Sequence, residues 1–388
     1  VNFELNEEQE LLQRTVREFA RNEVQPRAKE LDETGEFPLD TFRKAAALGL
    51  TGVAFPESEG GAGFDHISTA LVIEEISRVC ASTGVILSVQ NSLCGEVLHR
   101  LGSDAQKKKY LAPFLRGEKI GCYALTEAQA GSDARAIETR AVRKGDRYVV
   151  NGSKAWITNG GVADAAIVYV KTDPAAGEKG ISALIIDRGA RAGGSAATGF
   201  RVGKEEKKLG IHATACVELW FDDCEVPVEN RIGEEGEGYR IALSTLDGGR
   251  VGIAAQATGI AQGAFDQALA YAQQRRAFGH AISDFQAIQF MLADTATEIE
   301  AARCLVRQAA WKQDTGARFS REASIAKLFA SELATRATHK AMQIHGANGY
   351  SREFPVERMY RDARVTEIYE GTSQIQRLVI AAQVLKSA

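Results

Sequence analysis

Leu12, Val16, Phe19 and Ala20 recur at the spacing of one helix face while Glu and Arg fill the other, so the chain opens on an amphipathic helix. Asn6 and Gln9 are placed to form its capping box. Helical periodicity then runs, through a break rich in Gly over residues 55–65, to the polar segment 115–119. Within the break, Gly60, Gly61 and Gly63 predict a turn rather than a phosphate loop. From about Gly121 to Gly233 the period changes, with β-branched and aromatic runs at 148–150, 166–170 and 183–186 bounded by Gly, Asn and Asp. These predict strands, and Asn151-Gly152 between 148–150 and 154–157 predicts a hairpin turn. Beyond Gly238 helical blocks return at 239–274, 283–313, 320–345 and 373–386, joined by short links. Four helices of that length predict a bundle.

Composition changes this picture little. The 388 residues are too many for one typical core, which predicts several domains or a helical unit with an inserted module. With 45% hydrophobic and 25% charged residues, a packed globular protein is expected rather than a disordered or fibrous one. The net charge of −4 gives no footprint for nucleic acid or an anionic membrane, and Lys107-Lys108-Lys109 reads as a solvated helix face. No stretch approaches a membrane span, and the polar, acidic opening differs from a signal or transit sequence. A soluble protein without membrane insertion is expected.

The six cysteines lack ligand-like spacing, and no HExxH occurs among the six histidines, so neither disulfides nor a metal is expected. The only GxG pairs, Gly61 with Gly63 and Gly236 with Gly238, lack the third glycine of a Rossmann loop, and no GxxxxGK[ST] is present. GxSxG is also missing, and Ser132 has no histidine near it in the chain.

Longer strings carry more information. Tyr123-Ala-Leu-Thr-Glu127 with Ala130-Gly131-Ser132-Asp133, then 156–160, Arg275 with 277–279, 343–346, Gly349-Tyr350 and the closing 360–374, resemble in order and spacing the acyl-CoA dehydrogenase family, nearest its short-chain, butyryl-CoA-like members. The resemblance implies a mainly α fold with an inserted β domain: an N-terminal helical domain over 1–120, a middle β-barrel or sandwich over 121–235, and a C-terminal four-helix bundle over 236–388. It also implies FAD as cofactor, an acyl-CoA as substrate, electron-transfer flavoprotein as redox partner and a homotetramer. The location it implies is the bacterial cytoplasm, or the mitochondrial matrix in a eukaryote.

Roles follow from the same matches. Alone, Glu370 reads as an acid before an amphipathic helix, favoured by the helix dipole. The resemblance makes it the base that removes the α proton while a hydride leaves the β carbon for flavin N5. Relatives similar to isovaleryl-CoA dehydrogenase carry the base one residue before the arginine of a stretch like 246–250, where this chain has Gly249. Tyr123, Leu125, Thr126, Trp156, Ile157 and Thr158 match cofactor positions near the flavin ring, and Ser132 matches a cofactor position as well, although Trp156 alone reads as a core residue. Arg275, Phe278, Gln286, Gln343, Gly346, Thr372 and Gln374 match positions around its pyrophosphate and adenine; Gln286 has a rival reading as a capping box with Ser283. Ser132, Tyr239, Asp247, Arg250 and Gly371 match substrate-facing positions. Three residues depart from the family: Ala128 replaces a common proline, Ala347 a glycine, and His212 an arginine whose fork it cannot reproduce. Two other readings remain: an oxidase-like enzyme that passes electrons to oxygen, and a helical scaffold without catalysis.

Overall fold

The computed structural model describes residues 4–188 and 198–387. The first helix, α1 (Glu7–Phe19), starts on the expected box, in which Gln9 N donates to Asn6 Oδ1 at 2.8 Å and Asn6 N donates to Gln9 Oε1 at 3.1 Å. Seven more helices follow: α2 (Ala28–Thr34), α3 (Leu39–Ala47), α4 (His66–Ser77), α5 (Ala81–Ser88), α6 (Glu96–Leu101), α7 (Asp104–Gln106) and α8 (Ala112–Leu115). Between α5 and α6 the chain widens into a π-helical turn, Val89–Gly95, a local irregularity that often marks functional sites. Gly60 and Gly61 close the expected turn, donating to the carbonyls of Glu57 at 2.9 Å and Pro56 at 3.1 Å, and Gly63 follows it in irregular chain. Lys108 and Lys109 are exposed, as a solvated face requires, with Lys109 3.5 Å from Asp187, while Lys107 turns inward and donates to Glu59 at 2.8 Å.

The middle segment folds as one sheet with strand order β6-β7-β3-β2-β4-β5-β8, and β1 pairs with β4. The strands are β1 (Gly121–Ala124), β2 (Arg140–Lys144), β3 (Arg147–Ile157), β4 (Ala165–Lys171), β5 (Ile181–Asp187), β6 (Phe200–Glu205), β7 (Val217–Pro227) and β8 (Arg231–Ile232). Pairing is parallel for β1 with β4 and for β2 with β4, and antiparallel elsewhere. This mixed sheet does not close, because β6 and β8 end the strand order without pairing each other, and it replaces the expected barrel or sandwich. Strand β4 is buried on both faces: Ile167 and Tyr169 join the core shared with the helices, and Val168 and Val170 join the core on the other side.

Asn151-Gly152 is not a hairpin turn. The chain runs straight through it as β3, with a register shift between Val150 and Gly152. Gly152 takes φ 140°, and an ideal Cβ there would lie 2.7 Å from Thr139 Cα, so the pair makes a β-bulge where only glycine fits. The Asn151 side chain holds the bulge to β7, donating to Asp223 Oδ1 at 3.0 Å and accepting from Asp223 N at 2.9 Å. The reversal between β2 and β3 occurs instead at Gly145-Asp146.

The last segment contributes α9 (Gly238–Gln274), α10 (Gln286–Asp314), α11 (Ser320–His345) and α13 (Ser373–Ser387), all within three residues of the expected blocks. A further helix, α12 (Pro355–Val365), lies between α11 and α13. The core between α9, α10 and α11 is mostly Ala and small aliphatic side chains, which lets the helices approach closely. Ser283 does not cap α10: its N-cap is Phe285 with no side-chain cap, which removes the rival reading of Gln286. Five of the six cysteines are buried. No described helix is long and apolar enough to cross a membrane.

Candidate active site

Glu370 lies between α12 and α13 with φ 52°, a backbone region that L side chains rarely adopt, and Gly371 after it has φ 93°. Such strain persists only when the surroundings hold it, and it clusters at functional sites. Here the surroundings are visible: Gln376 Nε2 donates to the carbonyls of Glu370 at 3.2 Å and Gly371 at 2.9 Å, and Lys327 Nζ donates to the Gly371 carbonyl at 2.8 Å. One residue earlier, Tyr369 Oη donates to Gln256 Oε1, and Gln256 is fixed through its amide to the Ala81 carbonyl at 2.9 Å.

The turn aims the Glu370 carboxyl at α9. Its Oε2 is buried without a hydrogen-bond partner among the described residues. An ideal Cβ on Gly249 would lie 2.0 Å from that oxygen and 2.8 Å from Leu93 Cδ2, so the missing side chain makes the notch that the carboxyl occupies. Leu93 comes from the π-helical turn, which thus forms the wall opposite α9. Burial raises the Glu370 pKa to about 7, against the opposing pull of Lys327 and then Arg250. A carboxylate that titrates near neutrality in an apolar notch is suited to take a proton from a weak carbon acid.

Arg250 and Asp247 form a largely buried pair at 2.7 Å, and Ser320 Oγ donates to the other Asp247 oxygen. Burial raises the Asp247 pKa, while Arg250 and Ser320 oppose the rise. Arg250 Nε is a buried donor without a partner among the described residues, as expected of a group that meets a ligand. Tyr123, on β1, donates to the Ala242 carbonyl of α9 at 3.3 Å; burial, then Tyr169 and Glu370, raises its pKa. Tyr239, half-buried at the start of α9, lies within electrostatic range of Arg135 and Asp133, the latter next in the chain to the exposed Ser132.

The residues matched to the flavin ring also converge. Ala155 N donates to Thr126 O at 2.9 Å, joining the end of β1 to the end of β3. Trp156 is 57% exposed with φ 62°, so it is not a core tryptophan, and Thr126 and Thr158 are half-buried on either side. Leu125 and Ile157 face the interior. Behind this surface Lys154, fully buried, donates to Leu125 O at 3.1 Å and to Glu127 Oε1 at 2.7 Å. Glu127 also accepts from the backbone N–H groups of Glu138 at 2.6 Å and Thr139 at 3.0 Å.

The third set divides. Thr372 and Gln374 sit beside Glu370 at the start of α13. Arg275, Phe278, Gln286, Gln343 and Gly346 lie at the far end of the bundle, about 39 Å from Gly249 along α9 at 1.5 Å per residue. All five are exposed, Phe278 by 93% and with φ 53°. The matched positions of one chain therefore fall into two separated groups.

Reading the motifs missed Lys327, Gln376, Gln256, Leu93 and the Glu127–Lys154 pair. Lys327 left a signal, since it lies on the apolar stripe of Ala323, Ala326, Ala330 and Ala334, where a charge is out of place. Of the departures, Ala128 and Ala347 are exposed, and His212 still bonds, with Nδ1 2.7 Å from the Asp32 carbonyl and Nε2 2.9 Å from that of Lys208.

Family models described as the N-terminal, middle and C-terminal domains of acyl-CoA dehydrogenase match residues 6–118, 122–224 and 236–385. The chain is 50% identical over 386 residues to a short-chain-specific acyl-CoA dehydrogenase of Clostridium acetobutylicum, covering 100% of both chains. Among solved structures, butyryl-CoA dehydrogenase from Megasphaera elsdenii superposes with a TM-score of 0.96 at 43% identity, over 99% of this chain and 100% of that one. A chain in a structure described as electron transferring flavoprotein of Acidaminococcus fermentans gives a TM-score of 0.97 at 46% identity, over 100% of both.

Proposed function

The chain belongs to the acyl-CoA dehydrogenase family, and from that premise we propose that it desaturates a short acyl-CoA at the α and β carbons, with Glu370 as the base. The observation that carries this reading is the buried, unpartnered Glu370 Oε2 in the Gly249 notch.

The residues fit a flavin. Trp156, exposed on a strained backbone, and the half-buried Thr126 and Thr158 offer an aromatic face and hydroxyls, and Thr372 and Gln374 stand beside Glu370. When bound, FAD supplies the acceptor for the hydride that leaves the β carbon. The chain's own residues do the rest. Glu370 Oε2 takes the α proton, so the substrate loses one proton and one hydride and gains one C=C bond. The Glu370 N–H, which has no acceptor among the described residues, is free to hold the thioester oxygen as charge builds there, a contact worth roughly 3 kcal/mol. Arg250, held by Asp247, anchors the polar part of the substrate through its free Nε. Tyr123, Leu93 and Gly249 close the notch against water.

Arg275, Phe278, Gln286, Gln343 and Gly346 lie too far away to serve the cofactor at Glu370 of the same chain, and in our reading they complete the site of another copy in a homotetramer. Domain boundaries at 120 and 235 and electron-transfer flavoprotein as acceptor belong to the same proposal. The decisive experiment is anaerobic mixing of FAD-loaded enzyme with butyryl-CoA. Wild type bleaches, and Glu370→Gln keeps both ligands but loses bleaching by several orders of magnitude; near-normal bleaching of the variant would put the base elsewhere. Rapid reoxidation by air with peroxide release would favour an oxidase.

A further inference from the structure

Lys327 is an ammonium group in an alanine-lined helix, with no exposure to solvent. It makes no ion pair within 4.0 Å among the described residues, and the one hydrogen bond its ammonium makes with them goes to a neutral atom, the Gly371 carbonyl, at 2.8 Å. Burying a cation for one carbonyl bond is unfavourable for folding, and burial accordingly lowers the Lys327 pKa to about 8 against the opposing pull of Glu370. A neutral donor would satisfy the same carbonyl, as Gln376 already does at 2.9 Å. Fold stability alone gives no reason for a charge here.

The position suggests the reason. The Glu370–Gly371 turn has two consecutive residues with positive φ, and both of its carbonyls are gripped from behind by Lys327 and Gln376. We propose that Lys327 is a positioning residue for proton abstraction: its ammonium pins the Gly371 carbonyl and supplies the field that keeps the Glu370 carboxylate ionised in the Gly249 notch, while Gln376 holds the turn without charge. The inference rests on the reading of Glu370 as the base.

Other groups face the same carboxyl. From α9 comes Arg250, largely neutralised by Asp247; from β1 comes the Tyr123 phenol; and the preceding residue gives Tyr369. Glu367 and Glu332 act on Lys327 itself and favour its charged form. Lys327 heads the opposing pulls on the Glu370 pKa, so its removal is the sharpest single test.

The test follows single-turnover reduction of the FAD-loaded enzyme by butyryl-CoA against pH. In parallel, the carboxyl infrared band that Glu370→Gln abolishes is titrated, which needs no turnover. Lys327→Met is expected to move both the acid limb and the band midpoint upward by about one unit. It should also lower the high-pH plateau, where the carboxylate is ionised anyway, by roughly tenfold or more, because the base is no longer held in place. Lys327→Arg should return the midpoint to its wild-type value. A Lys327→Met enzyme with wild-type midpoint and plateau overturns the proposal. If that variant does not fold, Gln376→Met decides the positioning half: the plateau should fall with the midpoint unmoved, and an undiminished plateau refutes it. A shifted band in Lys327→Met beside normal reduction by Glu370→Gln would sink the base and leave the field of Lys327 standing.

Discussion

Gly249→Ala tests the notch with the smallest possible change. The added methyl would lie 2.0 Å from Glu370 Oε2 and 2.8 Å from Leu93 Cδ2, whereas real Cβ atoms essentially never come within 3.0 Å of another heavy atom. Glu370 Oε2 must therefore retreat by about 1 Å, and Leu93 by a few tenths. Both atoms end flexible side chains and α9 itself need not move, so the overpacking should cost about 1 kcal/mol and leave a folded protein. A misplacement of about 1 Å at a reacting group costs on the order of 10²-fold in rate, near 2.7 kcal/mol of barrier. Stopped-flow reduction by saturating butyryl-CoA reads that barrier directly, and thermal melts of the same samples read stability. The expected result is a rate loss near 10²-fold with little change in melting. Glu370→Asp, one methylene shorter, should then do less harm in the Gly249→Ala background than in wild type, a coupling that a double-mutant cycle measures. A Gly249→Ala enzyme that reduces its flavin within threefold of wild type would show that the base does not work from this notch.

Further expectations follow from the charged groups. The Glu370 pKa is raised from 4.5 to about 7, so the ionised form weakens the fold above pH 7 and the penalty fades toward pH 4.5. Glu370→Gln should thus gain up to about 3 kcal/mol by urea unfolding at pH 8.5 and much less at pH 5; equal stability at both would contradict the buried carboxylate. For His66, burial lowers the pKa but Asp314 and Glu96 more than offset it and raise it from 6.5 to about 9. Its contribution, at most about 3 kcal/mol, is complete below pH 6.5 and lost as pH rises through 9, and His66→Ala should flatten that slope in melting curves. Lys154→Met leaves Glu127 buried without its cation and should cost about 3 kcal/mol, the low end of the range because Glu138 and Thr139 still donate to it. A loss under 1 kcal/mol in urea would mean that the pair does not anchor Leu125.

By itself the sequence determined whatever depends on neighbours a few residues apart. The helical, β, helical order follows from a change of hydrophobic period, and α11 occupies 320–345 as its periodicity predicts. The Asn6–Gln9 box closed as written, because both bonds span three residues. The family motif singled out Glu370, which local chemistry alone left as an ordinary helix-terminal acid. Where a residue answers to distant partners, local reading failed. Asn151-Gly152 carries a turn signature, yet Asp223, 72 residues away, and Thr139 turn it into a bulge inside a continuous strand. Whether the sheet closed depended on its edge strands, which pair too far apart in the chain for any local pattern to encode. Only the tertiary structure set α9, α11 and the π-helical turn around one carboxyl, gave it a glycine notch and a lysine behind it, and moved its pKa to about 7. The reason is physical: burial and Coulomb energy depend on distance in space, and those distances exist only once segments far apart in the chain have packed.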